Sequence, residues 1–356
     1  MRILVIAEGV DRSEAQVYAG LHQAGFHLDI WTAPDVNRHR MQQAGLEFNT
    51  IRIRHRLDRQ AVAFFHQKLH KQQFSAVYAP INRALSVALC ATRKCGTPVV
   101  GYRGTTGHIS RFDPGSRLTY LNPRVARIVC VSEAVRNYLL QFSIPPGKLV
   151  TISKGHDPTW YRNNAAASVR AEFGIPANAL LLGFAGRVRP VKGVDVLLRA
   201  LKALPADAAV HLLIAGTIDD RKVNRMLKDA ALRARVHLTG YRDAAWQLTG
   251  QCDVFVMPSI GREGLPRAVI EAMAQGVPAV VSDVGGMPAL VRDGVDGMVV
   301  PPGNVNALTT ALLELAGDST KRTAMGRSAQ GRIESDYHVR NTVSGYVKLL
   351  NEICHV

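Results

Sequence analysis

The chain has 356 residues, of which 47% are hydrophobic and 6% aromatic, and it contains 30 glycines. This length allows two hydrophobic cores, and the composition is typical of an α/β protein and excludes a disordered or fibrous one. The net charge is +16, and residues 1–157 carry 21 basic and 10 acidic side chains, a net of +11 against +5 for the remainder. We therefore expect the first half to meet something anionic: a nucleic acid, an acidic bilayer or a phosphorylated substrate.

The first half of the chain alternates short apolar runs with helical periodicity. The opening segment MRILVIAEGV is too short in apolar residues for a signal peptide and fits a buried strand. Residues 13–25 repeat apolar side chains at helical spacing and end in Gly25, a typical C-terminal cap. Such alternation favours a parallel sheet covered by helices. The predicted strands are residues 2–7, 27–32, 48–53, 75–80, 98–103, 127–132 and 148–153.

Residues 51–74 interleave basic and apolar side chains. The pattern predicts a basic amphipathic helix that could lie on an anionic bilayer, each surface Lys or Arg contributing about 1 kcal/mol. The alternative is a helix that covers the sheet with its apolar side inward, and both hold if the outer face meets lipid. Nucleic acid is disfavoured because no binding motif and few aromatics for stacking are present. The basic residues are Arg52, Arg54, Arg56, Arg59, Lys68 and Lys71.

A second basic segment covers residues 102–127 and is too long for a simple connection. We expect it to form an active-site loop that could bind an anionic acceptor such as a phosphorylated glycolipid.

After a polar stretch the alternation restarts and runs to a C-terminal helix over 344–356. We predict an N-terminal domain over 1–157, a linker over 158–178, a second domain over 179–335, and a final segment, 336–356, that could pack back on the first domain. The predicted strands of the second half are residues 180–186, 210–216, 235–240, 252–259, 278–283 and 297–302.

Cysteine usage and hydropathy limit the chemistry. The five cysteines are odd in number and show no C-x-x-C spacing, which argues against a disulfide framework or a metal site and favours reduced thiols. No apolar run approaches the roughly 18 residues of a membrane span. We expect a cytoplasmic protein without a metal, with peripheral attachment to the inner face of the membrane left open.

The segment GFAGRVRPVKGVDVLLRAL places a basic loop between a strand that ends in Gly186 and a helix that begins near Gly193. In a doubly wound sheet, ligands lie beyond the carboxyl ends of the strands, where helix N-termini offer free amides. Arg187 could hold a phosphate through its two-pronged guanidinium, and Lys192 could add a point charge. The loop therefore predicts either a phosphate site or an ordinary connection with solvated charges.

The segment GREGLPRAVIEAM follows the predicted strand 252–259 and opens a helix. Pro266 suits the first helical position, and Leu265 before it has no side chain that can cap, so the first-turn amides stay available to an external acceptor. Glu263 precedes this helix and Glu271 lies inside it, and both carboxylates could accept protons from sugar hydroxyls. The alternative is that Glu271 makes an exposed pair with Arg267 worth a few tenths of a kcal/mol.

Three segments, GRVRPVKG, EGLPRAVIEAMAQGVPAVVSDVGG and VRDGVDGMVVPPGN, make residues 180–315 resemble a retaining GT-B glycosyltransferase of family four, the glycosyl transferases group 1. The N-terminal half resembles it weakly. The resemblance implies two Rossmann-like doubly wound domains facing a central cleft, the first binding an acceptor and the second a nucleotide diphosphate sugar.

In that family the positions of Arg187 and Lys192 hold the diphosphate, that of Glu271 binds the ribose, and that of Glu263 meets the transferred sugar. The cations and amides would stabilise the leaving diphosphate without a metal or cofactor. The other expected donor contacts are Gly9, Gly186, Gly264, Leu265 and Tyr241.

The sequence departs from the family pattern at several positions. Gly9 is the only match to an early glycine-rich loop, and Arg103 stands where a His is common, with His108 close enough to compensate. Lys154 replaces an Asn, and Ala289 replaces a Glu. We therefore keep Arg103 and His108 as further catalytic candidates and leave the donor sugar open.

Together these features predict a metal-independent, retaining transferase that moves a sugar to a surface glycan or glycolipid, with lipopolysaccharide core as the preferred acceptor. One alternative is a nucleotide-sugar epimerase, which shares the fold but lacks this pair of glutamates. The other is a non-catalytic glycan- or membrane-binding protein on a transferase fold.

Overall fold

In the computed structural model, which describes residues 1–34, 38–162, 167–205 and 208–354, the chain forms two compact units. The first contains residues 1–155 and the C-terminal segment from Val339, and the second runs from His156 to His338.

Within its described residues, the first unit is built on a parallel sheet of seven strands. These are β1 (Arg2–Ile6), β2 (His27–Thr32), β3 (Asn49–Thr50), β4 (Ala76–Ala79), β5 (Val99–Arg103), β6 (Val125–Cys130) and β7 (Leu149–Thr151). Their order is β3-β2-β1-β4-β5-β6-β7, so the direction of winding reverses between β1 and β4. All seven predicted strands are present, but the third is much shorter than predicted. It pairs with Trp31 and Thr32, the last residues of β2, and the Ile51 amide just beyond it donates to the Thr32 carbonyl at 2.8 Å.

Helices connect these strands, and the longer ones bury apolar side chains as predicted. The helix α1 shows the expected C-terminal signal: Ala24 caps it and Gly25 follows with a φ of +88°. The helices are α1 (Arg12–Gln23), α2 (Arg38–Gln43), α3 (Arg59–Lys71), α4 (Asn82–Ala91), α5 (Pro114–Arg117) and α6 (Glu133–Leu140).

The predicted basic helix over 51–74 is wrong in its extent. Asp58 caps α3 by accepting from the amides of Gln60 and Ala61, and it also accepts from the amide of Arg54. A helix cannot continue through a cap of this geometry, so the preceding arginines lie outside it. Inside α3, Phe65 and Leu69 are buried, as the sheet-covering alternative predicted.

Lys68 is the basic residue that links α3 to the sheet. Its Nζ lies 2.8 Å from the Asp29 carboxylate of β2 and 5.1 Å from the centre of the Trp31 ring. Lys68 is therefore committed to an internal ion pair rather than to an outer basic face.

The second unit repeats the architecture with six parallel strands. These are β8 (Leu180–Ala185), β9 (Val210–Ala215), β10 (Val236–Gly240), β11 (Val254–Met257), β12 (Ala279–Ser282) and β13 (Gly297–Val300). The order β10-β9-β8-β11-β12-β13 reverses between β8 and β11. All six predicted strands are present, and the predicted doubly wound α/β class is confirmed.

Helices surround this sheet, and the last helix of the chain belongs to the first unit. In the second unit they are α7 (Val169–Glu172), α8 (Val194–Ala203), α9 (Arg221–Met226), α10 (Ala230–Arg233), α11 (Ala245–Thr249), α12 (Arg267–Ala274), α13 (Met287–Leu290), α14 (Val305–Gly317) and α15 (Ser319–Ser335). Helix α16 (Val339–Cys354) packs against α1. Of the helices in the described ranges, none combines the length and apolar composition needed to cross a bilayer.

Helix α12 begins one residue later than predicted. Pro266 is its N-cap, with an extended ψ of 117°, and Arg267 is the first helical residue. The rest of the prediction is confirmed: no side chain caps the helix, and Gly276 follows its C-terminus with a φ of +77°. The apolar positions Val269, Ile270 and Met273 are buried in the core of the unit.

Candidate active site

The first part of the basic loop after β8 is held by backbone contacts. Gly186 follows the last strand residue with a φ of +142°, and the Val188 amide donates to the Thr217 carbonyl at 2.8 Å. Between them the Arg187 guanidinium makes an ion pair with the Asp219 carboxylate, while its side chain remains 66% exposed. The predicted phosphate-binding arginine is thus accessible to solvent and already oriented by a carboxylate.

The loops after β8 and β11 touch where the winding reverses. Gly193 caps α8 with a φ of +65°, and a Cβ on it would lie 2.0 Å from the carbonyl oxygen of Pro258. The amide of Ile260 donates to the carbonyl of Val191 at 2.9 Å. Only glycine allows this approach at Gly193, and the contact brings together the carboxyl ends of two adjacent strands, where doubly wound sheets bind their ligands.

Lys192 and Glu263 meet at this junction. The Lys192 ammonium donates to Glu263 Oε1 at 2.7 Å, and the two side chains are 19% and 9% exposed. The Ser259 hydroxyl donates to the same oxygen at 2.6 Å. A buried carboxylate needs such compensation, so Lys192 and Ser259 hold the Glu263 side chain at a defined position.

The backbone around Glu263 is fixed from the other side by a pair of glycines. Gly285 has a φ of +60°, and a Cβ on it would lie 2.1 Å from the Glu263 carbonyl oxygen. The Gly286 amide donates to the Gly264 carbonyl at 2.8 Å. The segment that contains Gly264 and Leu265, two predicted donor contacts, is therefore held tightly between the end of β11 and the start of α12.

Glu271 lies one turn inside α12. Its carboxylate is 3.2 Å from the Arg267 guanidinium, and the two side chains are 13% and 58% exposed. The i, i+4 pair that was the alternative for Glu271 is therefore present. It does not decide the role of Glu271, because a surface pair of this kind contributes little and can be displaced by a ligand.

Tyr241 follows the edge strand β10, which β9 separates from β8. Its side chain is exposed, and its hydroxyl donates to the Asp243 carboxylate at 2.7 Å. Its assignment to the donor site stays a prediction.

The remaining candidates, Gly9, Arg103 and His108, belong to the first unit. Gly9 is exposed, with open space where a Cβ would stand. Arg103 is buried at the end of β5, where its Nε donates to the Thr105 carbonyl at 2.9 Å and its guanidinium lies 5.0 Å from the centre of the Tyr120 ring. His108 is exposed and has a φ of +58°. The contacts of Arg103 order its own loop, and the catalytic roles of Arg103 and His108 stay predictions.

Lys154 occupies a polar cluster that its sequence context did not predict. Its ammonium is 2.5 Å from the Asp11 carboxylate and 3.2 Å from that of Glu14, the two acids that form the capping box of α1. Burial lowers the pKa of Lys154, but the two carboxylates outweigh it and raise the pKa above its usual range. Lys154 therefore remains charged and fastens the end of β7 to α1.

Sequence reasoning missed Ser259, Asp219 and Gly285. The sequence did contain a signal for Ser259: it is a polar residue at the carboxyl end of a predicted apolar strand, where ligand-binding side chains are expected. Asp219 and Gly285 had no such signal, because their partners Arg187 and Glu263 lie more than 20 residues away along the chain.

Comparison with known proteins agrees with this architecture. Residues 7–160 match the family model described as Glycosyltransferase Family 4, and residues 179–318 match the one described as Glycosyl transferases group 1. HepE from Anabaena, crystallised in complex with UDP, superposes with a TM-score of 0.83 over 99% of this chain and 100% of its own, at 22% identity. The predicted GT-B fold is therefore confirmed.

Two curated relatives are similar over part of the chain. A D-inositol 3-phosphate glycosyltransferase from Saccharomonospora viridis is 31% identical over 57% of this chain and 50% of its own length. A lipopolysaccharide core biosynthesis glycosyltransferase from Rhizobium meliloti is 28% identical over 51% of this chain and 52% of its own. The chain spans about half the length of these relatives.

Proposed function

Because the chain belongs to the group 1 glycosyltransferases, we propose that it transfers a sugar from a nucleoside diphosphate donor to a glycan or glycolipid, with retention of configuration and without a metal at the reacting centre. The observation that carries the proposal is the buried pair of Lys192 and Glu263 at the reversal point of the second sheet.

The reaction breaks the bond between the anomeric carbon of the sugar and the diphosphate. Negative charge grows on the leaving diphosphate, and Lys192 and Arg187 supply the positive charges that stabilise it. The attacking acceptor hydroxyl forms the new bond on the face that the diphosphate leaves, and its proton passes to a phosphate oxygen. The products are the glycosylated acceptor and a nucleoside diphosphate.

Glu263 has a positioning task in this scheme. Its carboxylate lies next to the ammonium that meets the diphosphate, so it can hold hydroxyls of the attached sugar and offset positive charge on the ring. Glu271, farther along α12, would bind the ribose. Ser259 supports the carboxylate of Glu263 from its buried side.

The charge of the first half supports an anionic acceptor. Arg111, Arg117 and Lys148 line a depression of about 600 Å³ there. The Arg117 Nε donates to the Arg111 carbonyl at 2.8 Å, and the Lys148 Nζ donates to the Pro123 carbonyl at 2.6 Å. The loop over 102–127 and the neighbouring Lys148 therefore present ordered cations, which suits the phosphate of a glycolipid. A lipopolysaccharide core intermediate at the cytoplasmic face of the membrane is the acceptor to test first, since one relative is named for that pathway.

The test is incubation of the full chain with UDP-, GDP- and ADP-sugars, in the presence of phosphorylated and neutral glycolipids, while released nucleoside diphosphate is measured. Turnover with one donor, unaffected by EDTA and giving a product with the donor's anomeric configuration, is expected. Absence of both binding and turnover with every donor would overturn the proposal, and conversion of the donor sugar without release of nucleoside diphosphate would indicate an epimerase.

A further inference from the structure

Three potential metal ligands converge on the helical layer of the first unit, and none of them belongs to the candidate active site. His66 and His70 lie one turn apart on α3, and Cys95 follows the short 3-10 turn Thr92–Lys94 at the end of α4. The Nε2 atoms of the two histidines are 3.2 Å apart, and Cys95 Sγ is 3.9 Å from Nε2 of His70. All three ligand atoms lie within 4.8 Å of one another.

The local structure fixes each of the three side chains. Residues at i and i+4 share one face of a helix, so His66 and His70 point the same way from α3. Their rings are 4.4 Å apart between centroids. The Cys95 amide donates to the Thr92 carbonyl at 3.1 Å, which holds the cysteine at the end of the turn. Since α3 and α4 pack together, the thiol faces the histidine pair.

The distances agree with the coordination geometry of zinc. A tetrahedral ion with Zn–N bonds of about 2.0–2.1 Å and a Zn–S bond of about 2.3 Å requires roughly 3.3 Å between two nitrogens and roughly 3.6 Å between nitrogen and sulfur. The nitrogens already have nearly this separation. The sulfur is a few tenths of an ångström too far from His70 Nε2, and it lies within 4.8 Å of His66 Nε2. A hydrogen bond between two neutral imidazoles would explain the nitrogen pair, and the thiol also has an acceptor in the Ala91 carbonyl, 3.8 Å from Sγ. A shared metal ion accounts for the convergence of all three ligand atoms.

We propose that His66, His70 and Cys95 form a zinc-binding site that joins α3 to the end of α4. Both imidazoles bind through Nε2 in their neutral form. The Cys95 thiol releases its proton to solvent, and the thiolate forms the Zn–S bond. Water completes the tetrahedron. Soft thiolate with imidazole favours zinc over magnesium or calcium, whose ligands are oxygens.

This site is independent of the residues proposed for sugar transfer, and zinc binding here would contradict the expectation of no metal site drawn from cysteine spacing. That expectation considered cysteines close together in sequence, whereas the partners of Cys95 are two histidines on a preceding helix.

The direct test is a titration of the chelator-treated full chain, prepared without a histidine tag, with Zn²⁺ and a competing chromophoric chelator. We expect one ion per chain with micromolar or tighter affinity, release of about one proton, and tighter binding as pH rises because the thiol must ionise. Co²⁺ in place of Zn²⁺ should give a thiolate charge-transfer band.

Variants assign the ligands. Cys95→Ser should remove the Co²⁺ band and weaken Zn²⁺ binding at least about tenfold, and His70→Ala should weaken it similarly. Cys90→Ser, at another half-buried free cysteine, is the matched thiol control and should leave both unchanged. His211→Gln, which breaks a contacting pair of histidines without a cysteine, should also have no effect.

A measurement on the unmodified chain covers the case in which a variant fails to fold. Zn²⁺ should protect Cys95, but not Cys90, from alkylation, as read by peptide mass spectrometry. Absence of stoichiometric binding, or equal alkylation of Cys95 with and without Zn²⁺, would refute the site.

Discussion

Glu263→Gln is the substitution that tests the central pair of the candidate active site most directly. Glutamine has the shape of glutamate and can still accept from the Ser259 hydroxyl, which lies 2.6 Å from Oε1. The substitution removes the negative charge that Lys192 contacts at 2.7 Å. It therefore changes charge at the site with little change in packing.

The magnitude follows from the burial of the pair. Two unit charges about 4 Å apart attract by about 4 kcal/mol at an effective dielectric constant of about 20. The glutamine recovers the cost of burying a carboxylate, and Lys192 is 19% exposed and can turn toward water. We expect a net loss of about 1–3 kcal/mol in the free energy of unfolding.

The substitution should preserve or strengthen nucleotide binding and slow sugar transfer. Without the Glu263 carboxylate, Lys192 can interact fully with the diphosphate, and one negative charge that repels the diphosphate is removed. The dissociation constant of the nucleoside diphosphate should therefore stay equal or fall by up to about tenfold. The rate constant kcat should fall by at least about a hundredfold, or roughly 2.7 kcal/mol, because the sugar loses its positioning group.

The assay combines titration calorimetry with nucleoside diphosphate and steady-state transfer at saturating donor. Ser259→Ala is the matched companion, because it removes the second hydrogen bond and leaves the charge pair, and it should lower kcat less. A loss of nucleoside diphosphate affinity in Glu263→Gln with kcat preserved would refute the assignment of Lys192 to the phosphates and of Glu263 to the sugar.

Three further substitutions address neighbouring features. Glu271→Ala should weaken nucleoside diphosphate binding at least about tenfold in calorimetry. Arg267→Ala removes only the exposed partner of Glu271 and should leave binding unchanged. Equal losses of affinity in the two variants would contradict the ribose assignment. Asp58→Ala should cost about 0.5–2 kcal/mol in urea unfolding, because it removes the cap of α3. The amide of Arg54 lowers the pKa of the Asp58 carboxyl, so this stabilisation is present above the unfolded pKa and is lost as pH falls through the folded one. The deficit should therefore shrink in acid, and a deficit that grows there would be inconsistent. Gly285→Ala should abolish transfer, because the added Cβ would clash with the backbone of Glu263. Gly294 has a similar φ of +72° but open space around it, so Gly294→Ala should only lower stability. Transfer assays and thermal unfolding measure the two effects.

Local patterns in the sequence determined the secondary structure and the fold class. Each of the thirteen strands found in the described residues was predicted, most of them from an apolar run, because a strand buried on both faces needs apolar side chains at consecutive positions. The exposed edge strand β3 is an exception. The buried stripe of α12 and its termination before Gly276 were equally local, since helical periodicity and a glycine with positive φ are properties of neighbouring residues.

The tertiary structure decided which polar groups meet. Lys192 and Glu263 are 71 positions apart, and their contact exists because β8 and β11 are adjacent in the sheet. Helix α3 begins only after Asp58, where the charge pattern alone predicted a longer helix, since a cap depends on where one carboxylate finds free amides. The cluster around Cys95 likewise depends on the packing of two helices. Side-chain partners of this kind follow strand order and helix packing, which bring together residues that no local spacing relates.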